Sequence, residues 1–379
     1  YMLQLDYIID SFSKTKVRKM KPFIRNLLRM SVYQIKYMDA VPDSAVCNEA
    51  VKLAKRHKFA QLSGFVNGVL RNIARNIDSV QFDTLSIRYS MPQWIVDRFV
   101  AAYGEKKAEE IFKAFHSKST ISIRTNLTRC TPDELRVMLE AEGVTVTAVD
   151  ELNYAFVISG FDYLNGLQSF RDGLFYVQDI SSMLVAQTAA PKKGDYVIDV
   201  CAAPGGKSTH IAELLQGSGH VLARDLTDNK VDMIEENIER HGLNNMSAEV
   251  WDATVFDADS AGKADILICD LPCSGLGVLG RKKDIRYKMT PESVDELAAL
   301  QRQILDTVHT YVKPNGVLVY STCTIDEAEN EDNVRWFIEK HPEFELDKNF
   351  AEGTGMKQIL PGEHGSDGFF IARFIKSKL

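Results

Sequence analysis

At 379 residues, with 45% hydrophobic and 26% charged residues, the chain has the composition of an ordinary globular protein with room for two or three domains. It contains no run of about 18 apolar residues, which excludes an apolar membrane-spanning helix, and its N-terminus lacks the pattern of a secretory signal. Six scattered cysteines, without CxxC pairs or Cys/His clusters of zinc spacing, favour reduced thiols in a cytoplasmic protein and predict no metal site.

The formal net charge of -7 is distributed unevenly. Residues 1–76 contain 14 Lys and Arg against 5 Asp and Glu, so the rest of the chain is strongly acidic. A basic N-terminal module on an acidic body is typical of a protein that binds RNA through one part and performs chemistry in another. A solvated helical face would produce the same asymmetry, and charge alone does not separate the two interpretations.

Residues 1–76 are predicted to be helical throughout, because apolar residues recur at three- and four-residue spacing. The chain opens inside a helical pattern, and we therefore expect some native N-terminal sequence to be missing. Residues 77–118 are predicted to be a helical linker interrupted at Pro92. The period then changes, and residues 119–172 are predicted to form a small α+β subdomain. Its elements are a strand at 121–127, a capped helix at 131–143 and strands at 144–149 and 154–159.

Residues 173–379 alternate between apolar runs of strand length and amphipathic stretches. This alternation predicts an α/β domain with a mostly parallel sheet and helices on both faces. The predicted strands lie at residues 196–200, 220–225, 247–252, 265–270 and 316–322.

A glycine-containing loop follows the first of these strands, at residues 199–207. Its small residues allow a ligand to approach the backbone closely, and the N-terminus of the following helix favours negative charge. The loop fits neither the dinucleotide-binding fingerprint nor the P-loop. Acidic residues end the next three strands at Asp225, Asp252 and Asp270, where they can hydrogen-bond ribose hydroxyls. Together these features predict a cofactor of the nucleoside type.

Two cysteines follow the fourth and fifth strands, so they are expected at the same sheet edge as the loop. Cys273 lies in the sequence DLPCSG and Cys323 in STCT. Carbon 5 of cytosine is too electron-poor to accept a methyl group directly, whereas a thiolate that adds to carbon 6 makes carbon 5 nucleophilic. A second group nearby is then useful as a base or for product release. A cysteine can also be simply a small apolar residue of the core, and we adopt this interpretation for Cys47, Cys130 and Cys269.

A reactive thiol needs a lowered pKa, which a cation or a helix N-terminus supplies. Lys207 and a helix predicted to begin near Asp326 are the candidates here. Cys201 is expected to line the cofactor site rather than to react. A basic cluster after Cys273 is hypothesised to contact the RNA backbone, with a solvated loop as the equally compatible alternative. The cluster consists of Arg281, Lys282, Lys283, Arg286 and Lys288.

These motifs resemble those of the RsmB (Sun/Fmu) family of ribosomal RNA cytosine-5 methyltransferases over essentially the whole chain. DVCAAPGGKSTHIAELL is similar to the family's cofactor motif, DLPCSGLGVL to its proline-cysteine motif and YSTCTIDEAENEDNV to its threonine-cysteine motif. The closing DGFFIARF resembles the terminal strand. Residues 1–76 are similar to NusB-like RNA-binding domains through DSAVCNEAVKLAKR and GFVNGVLRNI, and residues 119–172 resemble the family's RNA-recognition-like subdomain.

The resemblance implies a multidomain protein with an all-α NusB-like domain, a small α+β subdomain and an α/β Rossmann-like class I methyltransferase domain at 173–379. It implies Cys323 as the nucleophile and Cys273 as the residue that assists product release, an assignment that rests on the family and not on spacing. It also implies S-adenosylmethionine as the cofactor. The residues implied to contact it are Cys201, Ala202, Ala203, Pro204, Gly205, Gly206, Lys207, Asp225, Asp252 and Asp270.

The NusB-like domain favours small-subunit (16S) ribosomal RNA as the substrate. The target cytosine must be unstacked to be reached, so a single-stranded or loop region is the easier substrate. One alternative is a transfer RNA cytosine-5 methyltransferase. Another is a non-catalytic RNA-binding factor for ribosome assembly, which the paired cysteines and the complete glycine-containing loop argue against. The sequence indicates neither a membrane partner nor an oligomer.

Overall fold

The computed structural model describes residues 1–117 and 120–378, which divide into two compact units, Tyr1–His116 and Ser117–Leu379. The limit predicted between the helical linker and the α+β subdomain, at residues 118 and 119, lies outside the described residues. Residue 379 also lies outside them. In the part of the chain that is described, no helix has the length and apolar character needed to cross a membrane.

The first unit is built from α-helices, as predicted. In the helix Ser63–Asn76, the buried residues are Val66, Val69, Leu70 and Ile73. Their three- and four-residue spacing places them on one apolar face that packs against the core. The helices are α1 Met2–Phe12, α2 Pro22–Tyr37, α3 Asp43–Arg56, α4 Ser63–Asn76, α5 Leu85–Arg88, α6 Gln93–Tyr103 and α7 Glu105–Ala114.

The second unit begins with a four-stranded antiparallel sheet. Its strands are β1 Ile121–Thr125, β2 Thr145–Val149, β3 Leu152–Ser159 and β4 Phe175–Val177, in the order β2-β3-β1-β4. Helix α8 (Pro132–Ala141) begins with a capping box of Thr131 and Glu134 and buries Leu135 and Leu139 against the sheet. The short helix α9 covers Gln168–Arg171. Strand β4 belongs to this sheet but follows residue 172, where the α+β subdomain was predicted to end. The predicted domain limits stay predictions.

An eight-stranded sheet forms the rest of the second unit. Its strands are β5 Tyr196–Asp199, β6 His220–Asp225, β7 Met246–Val250, β8 Ala264–Asp270, β9 Val312–Thr322, β10 Phe344–Leu346, β11 Met356–Ile359 and β12 Phe369–Lys376. The order is β10-β12-β9-β8-β5-β6-β7, and β11 also pairs with β12. Strands β5 to β9 are parallel, whereas β12 runs antiparallel to β9, β10 and β11.

Helices cover both faces of this sheet, because its strands are apolar on both sides. In β8, Leu267 belongs to one core with Ile304, which lies on the helix Pro291–Val308. Its neighbour Ile266 belongs to the opposite core with Ile211, which lies on the helix Gly206–Leu214. The helices are α10 Ile180–Ala189, α11 Gly206–Leu214, α12 Asp228–His241, α13 Ile285–Lys288, α14 Pro291–Val308 and α15 Glu331–Lys340. The predicted fold class, with an all-α part, a small α+β part and a Rossmann-like α/β part, is confirmed.

A buried ion pair joins the two sheets of the second unit. Arg124 on β1 donates to the carboxylate of Glu213 on α11 at 2.7 Å, and the two side chains are 0% and 1% exposed. Arg124 also donates to the Gly206 carbonyl oxygen at 2.8 Å and to the side-chain oxygen of Gln178. The small sheet is thereby attached to the helix that begins at the glycine-containing loop.

Candidate active site

The glycine-containing loop connects β5 to α11 and is held against the end of β6. The Ala203 amide donates to Asp225 Oδ2 at 2.9 Å, and the Ala202 amide donates to the Arg224 carbonyl oxygen at 2.8 Å. Gly205 has a φ of +100°, which favours glycine, and it directly precedes the helix. The loop therefore presents its backbone at the carboxyl ends of the parallel strands, where ligands bind in this class of fold.

The three predicted acidic residues lie at this edge in different environments. Asp225 ends β6 and accepts from Lys230 Nζ at 2.8 Å and from the Leu226 amide at 2.7 Å. Asp252 lies two residues beyond the end of β7, and hydrogen bonds from the Thr254 hydroxyl and amide hold its pKa below the ordinary value.

Asp270 ends β8 and accepts from Ser321 Oγ at 2.7 Å. It also forms an ion pair with Lys207 Nζ at 2.7 Å. Burial alone would lower the pKa of Lys207, but the Asp270 carboxylate raises it above the ordinary value. Lys207 is therefore a fixed positive charge at this sheet edge.

A cavity of about 290 Å³ opens at this edge. Seven of the predicted site residues line it, namely Cys201, Ala203, Asp225, Asp252, Asp270, Cys273 and Cys323. The other five, Ala202, Pro204, Gly205, Gly206 and Lys207, lie in or directly after the loop and are not among the lining residues.

Sequence reasoning missed several residues that line the cavity. Trp251 and Lys230 are among them, and Lys230 is the partner of Asp225. Leu300 and Ile304 contribute from α14, where an apolar residue at helical spacing is indistinguishable in sequence from an ordinary core residue. For Trp251 and Lys230, the only sequence signal that they line the cavity was their position near the end of a predicted strand. Apolar walls combined with carboxylates that can accept hydrogen bonds from ribose hydroxyls fit an adenosine-type ligand.

The two predicted cysteines lie side by side, with Cys273 Sγ 3.2 Å from Cys323 Sγ, and both are free thiols. Cys201 also lines the cavity, but burial raises the pKa of its thiol, and the same holds for Cys269 inside β8. The cysteine pair is thus distinguished from the other thiols by contact as well as by position.

The pair is electrostatically asymmetric. The hydrogen bond from Cys273 lowers the pKa of Cys323, with Lys207 and Lys282 acting in the same direction, while burial and Asp270 oppose them. The pKa of Cys273 is raised well above the ordinary value by its hydrogen bond to Cys323 and by burial, with Glu329 adding to the effect. Deprotonation is therefore easier at Cys323 than at Cys273, and a Cys323 thiolate would accept a hydrogen bond from the Cys273 thiol.

The helix after Cys323 begins at Glu331 and not near Asp326, so this part of the prediction was wrong. The residues before the helix form turns because their side chains are hydrogen-bonded within the site. Glu329 accepts from the Ser274 amide at 2.8 Å, and Asn330 accepts from Thr322 Oγ1 at 2.6 Å. The groups that lower the pKa of the Cys323 thiol are Cys273, through its hydrogen bond, and the cations Lys207 and Lys282, rather than a helix N-terminus.

A backbone contact holds the two cysteine segments and the last strand together. The Gly277 amide donates to the Cys323 carbonyl oxygen at 3.1 Å, and the Gly368 amide donates to the Gly277 carbonyl oxygen at 2.9 Å. A Cβ atom at residue 277 would lie 2.3 Å from the Gly368 oxygen. Only glycine fits at this junction without displacing a backbone segment.

The basic cluster after Cys273 is only partly available to RNA. Arg281 forms ion pairs with Asp179 and Asp367. Arg286 is 3% exposed and donates to the Leu279 carbonyl oxygen. Lys282, Lys283 and Lys288 are exposed, with Lys288 paired to Asp284. The hypothesis of RNA contacts is therefore restricted to these lysines.

Comparison with known proteins identifies the family. Residues 186–375 match the family model described as 16S rRNA methyltransferase RsmB/F. A probable ribosomal RNA small subunit methyltransferase B from Bacillus subtilis is 38% identical over 99% of this chain and 87% of its own length. The chain belongs to the RsmB/F family. The predicted cofactor, S-adenosylmethionine, is confirmed with it.

Two further family models match this RsmB/F chain, the NusB family at residues 1–75 and a ferredoxin-like domain of RsmF/B-like methyltransferases at residues 91–161. The crystal structure of PH0851 superposes with a TM-score of 0.84 and 27% identity, covering 100% of this chain and 88% of that one. NSun6 from Pyrococcus horikoshii with SFG has a TM-score of 0.69 and 25% identity, covering 76% of this chain and 99% of that one.

Proposed function

We propose that this RsmB/F chain methylates carbon 5 of a cytosine in 16S ribosomal RNA through a covalent bond between Cys323 and carbon 6. The observation that carries the proposal is the 3.2 Å contact between the Cys323 and Cys273 sulfurs at the cofactor cavity. The pKa of the Cys323 thiol is lowered by this contact, and that of the Cys273 thiol is raised by it. Small-subunit ribosomal RNA is the substrate that the family description and the name of the Bacillus subtilis relative both give.

In the first step the Cys323 thiolate bonds to carbon 6, and the electron pair of the C5=C6 double bond becomes available at carbon 5. S-adenosylmethionine, when bound, supplies the electrophilic methyl group that carbon 5 takes. Asp225, Asp252 and the backbone of the loop at residues 199–207 are positioned to hold the cofactor's nucleoside part. The buried cation Lys207 keeps Asp270 and the thiolate in place.

Release requires that the proton on carbon 5 leaves and that the bond between carbon 6 and sulfur breaks, so that the C5=C6 double bond forms again. The Cys323 thiolate is the main reason that the pKa of Cys273 is high. Once Cys323 has become a thioether, that cause disappears and Cys273 gives up its proton more readily. The proton that Cys273 gives up passes to water, and the Cys273 thiolate then takes the proton on carbon 5. The electron pair of that C–H bond forms the C5=C6 double bond again, and Cys323 leaves as a thiolate.

RNA contacts are proposed for the NusB-like unit as well. A groove between α3 and α4 is lined by Lys52, Arg71, Asn48 and Asn67, which supply cations and amides suited to phosphate and sugar contacts. The excess of basic residues in this unit supports the same assignment. The location of the protein in the cytoplasm, together with its RNA substrate, stays a prediction.

Two single variants test the covalent mechanism, with S-adenosylmethionine labelled in its methyl group and small-subunit RNA as substrate. Cys323→Ala should transfer no methyl group and form no adduct. Cys273→Ala should accumulate a protein–RNA complex that survives denaturation, because release is blocked after the bond to carbon 6 has formed. Cys130→Ala, at a free thiol outside the site, is the matched control and should retain activity.

The opposite pattern, an adduct in Cys323→Ala and none in Cys273→Ala, would assign the nucleophile to Cys273. Methyl transfer to transfer RNA, with none to small-subunit RNA or its particle, would favour the transfer RNA alternative. Binding of RNA by the unsubstituted chain without methylation of either RNA would favour the non-catalytic alternative.

A further inference from the structure

Four side chains with metal-binding atoms lie together where helix α14 ends and strand β10 begins. Asp306 is in the last turn of α14, and His309 opens the short helical turn that follows it. His341 directly follows α15, and Glu343 directly precedes β10. The ligand atoms of Asp306, His309 and His341 all lie within 4.8 Å of one another.

The spacing of these atoms is close to that of a tetrahedral metal site. Ligand atoms about 2.0–2.2 Å from a Zn²⁺ ion in a tetrahedron are about 3.4 Å from each other. His341 Nε2 is 3.2 Å from Asp306 Oδ1, and His309 Nε2 is 3.7 Å from Glu343 Oε1. Glu343 Oε1 lies 3.9 Å from His341 Nδ1, not beside the Nε2 that faces Asp306, so the ligand atoms that converge are those of Asp306, His309 and His341.

The hydrogen bonding of the two histidines also favours a ligand. His309 Nδ1 is 2.8 Å from the Asp306 carbonyl oxygen, so Nδ1 carries the proton and Nε2 presents its lone pair to the cluster. The side chain of His341 is 8% exposed, and its Nε2 has no hydrogen-bond partner among the described residues.

We propose that Asp306, His309 and His341 bind one Zn²⁺ ion, with the Glu343 carboxylate beside it. The proposal departs from the prediction of no metal site, because the two histidines are far apart in sequence and only the fold brings them together. Lys340 Nζ lies 2.8 Å from Asp306 Oδ1 and competes for this carboxylate. Both side chains of that pair are 42–47% exposed, so the lysine can turn into solvent when the ion binds.

The site is structural rather than catalytic. It precedes β9, whereas Cys323 follows the other end of the same strand, roughly 30 Å away for a strand of this length. A bound ion would connect the end of α14 with the end of α15, next to the start of β10. It should therefore raise the stability of this edge of the sheet without contributing to methyl transfer.

The experiment is a calorimetric titration of the full chain with Zn²⁺ after treatment with a chelator. The cysteine pair at the active site is a competing zinc ligand, so the titration is performed on a Cys273→Ala/Cys323→Ala background. We expect one equivalent to bind and the midpoint of thermal unfolding to rise by about 3 °C or more. Asp306→Asn and His341→Ala should each weaken binding at least tenfold, whereas the control His57→Ala, at an exposed histidine in the first unit, should not.

Lys340→Ala gives a prediction of opposite sign, because removal of the competing ammonium group should tighten Zn²⁺ binding. Asp306 is partly exposed, so Asp306→Asn is expected to fold, and its circular dichroism without metal should match that of the background protein. Co²⁺ bound at this site should give an absorption spectrum without the thiolate charge-transfer band. Absence of one-equivalent binding on this background, or binding that is unchanged in Asp306→Asn, would overturn the proposal.

Discussion

Gly277→Ala tests whether the contact among Gly277, Cys323 and Gly368 sets the position of the cysteine pair. The added Cβ would lie 2.3 Å from the Gly368 carbonyl oxygen and 2.8 Å from the Cys323 carbonyl oxygen. An ordinary contact of this kind is at least 3.4 Å, so one of the two backbone segments must move by about 1 Å. Both neighbours are backbone atoms of strand ends, which cannot rotate away as a side chain would.

The magnitude follows from this displacement. Overpacking of this kind costs about 1–3 kcal/mol of stability. A misplacement of about 1 Å in an active site can cost about 100-fold in rate, which corresponds to about 2.7 kcal/mol of transition-state stabilisation. We therefore expect kcat/KM for methyl transfer to RNA to fall about 100-fold. Cofactor affinity should change little, because Gly277 is not among the residues that line the cavity.

The assay combines initial rates of methyl transfer with equilibrium binding of S-adenosylmethionine and denaturant unfolding. The matched control is Gly68→Ala, an exposed position in α4 where a Cβ would meet no atom within 4 Å. Alanine there should leave the rate unchanged and stabilise the helix by about 0.5–1 kcal/mol. A Gly277→Ala protein that methylates within threefold of the unsubstituted rate would refute the positioning role.

Two further predictions concern the thiol pair and the buried ion pair. The rate of Cys323 alkylation by iodoacetamide, followed by peptide mass spectrometry, should rise with pH around a midpoint below the ordinary thiol pKa, since the folded protein favours the thiolate. In Cys273→Ala this midpoint should move upward because the hydrogen-bond donor is gone, and a downward shift would contradict the assignment. Arg124→Met should destabilise the second unit by about 3–5 kcal/mol in denaturant unfolding, because the Glu213 carboxylate is left buried without its partner. Arg124→Met/Glu213→Leu should recover most of that loss, and a single variant within 1 kcal/mol of the unsubstituted chain would count against a structural role.

The parallel sheet could be predicted from sequence because its strands are buried on both faces and appear as short apolar runs. The strand from Ala264 to Asp270 was located to within one residue in this way. Because the carboxyl ends of parallel strands share one edge, Cys273 and Cys323 were expected to lie near each other, and the structure places their sulfurs in contact. Their chemical roles stay predictions.

Other features depend on tertiary contacts that have no local pattern. Strand β4 has three residues, too few for a period to be recognised. In sequence Arg281 and Arg286 belong to one basic cluster, but Arg281 is engaged in ion pairs with Asp179 and Asp367, and Arg286 is buried in α13. The start of α15 was misplaced because Glu329 and Asn330, which suit a helix in sequence, are hydrogen-bonded to neighbouring segments instead.

The position of β12 affects when the enzyme can form during its own synthesis. This strand lies between β9 and β10 in the sheet, and the residue just before it, Gly368, supports the backbone beside Cys323. A nascent chain that has not reached residue 376 therefore has the cofactor loop and both thiols but lacks the strand that orders them. Methylation must therefore wait until β12 has been synthesised, whereas the helical unit of residues 1–116 can fold earlier.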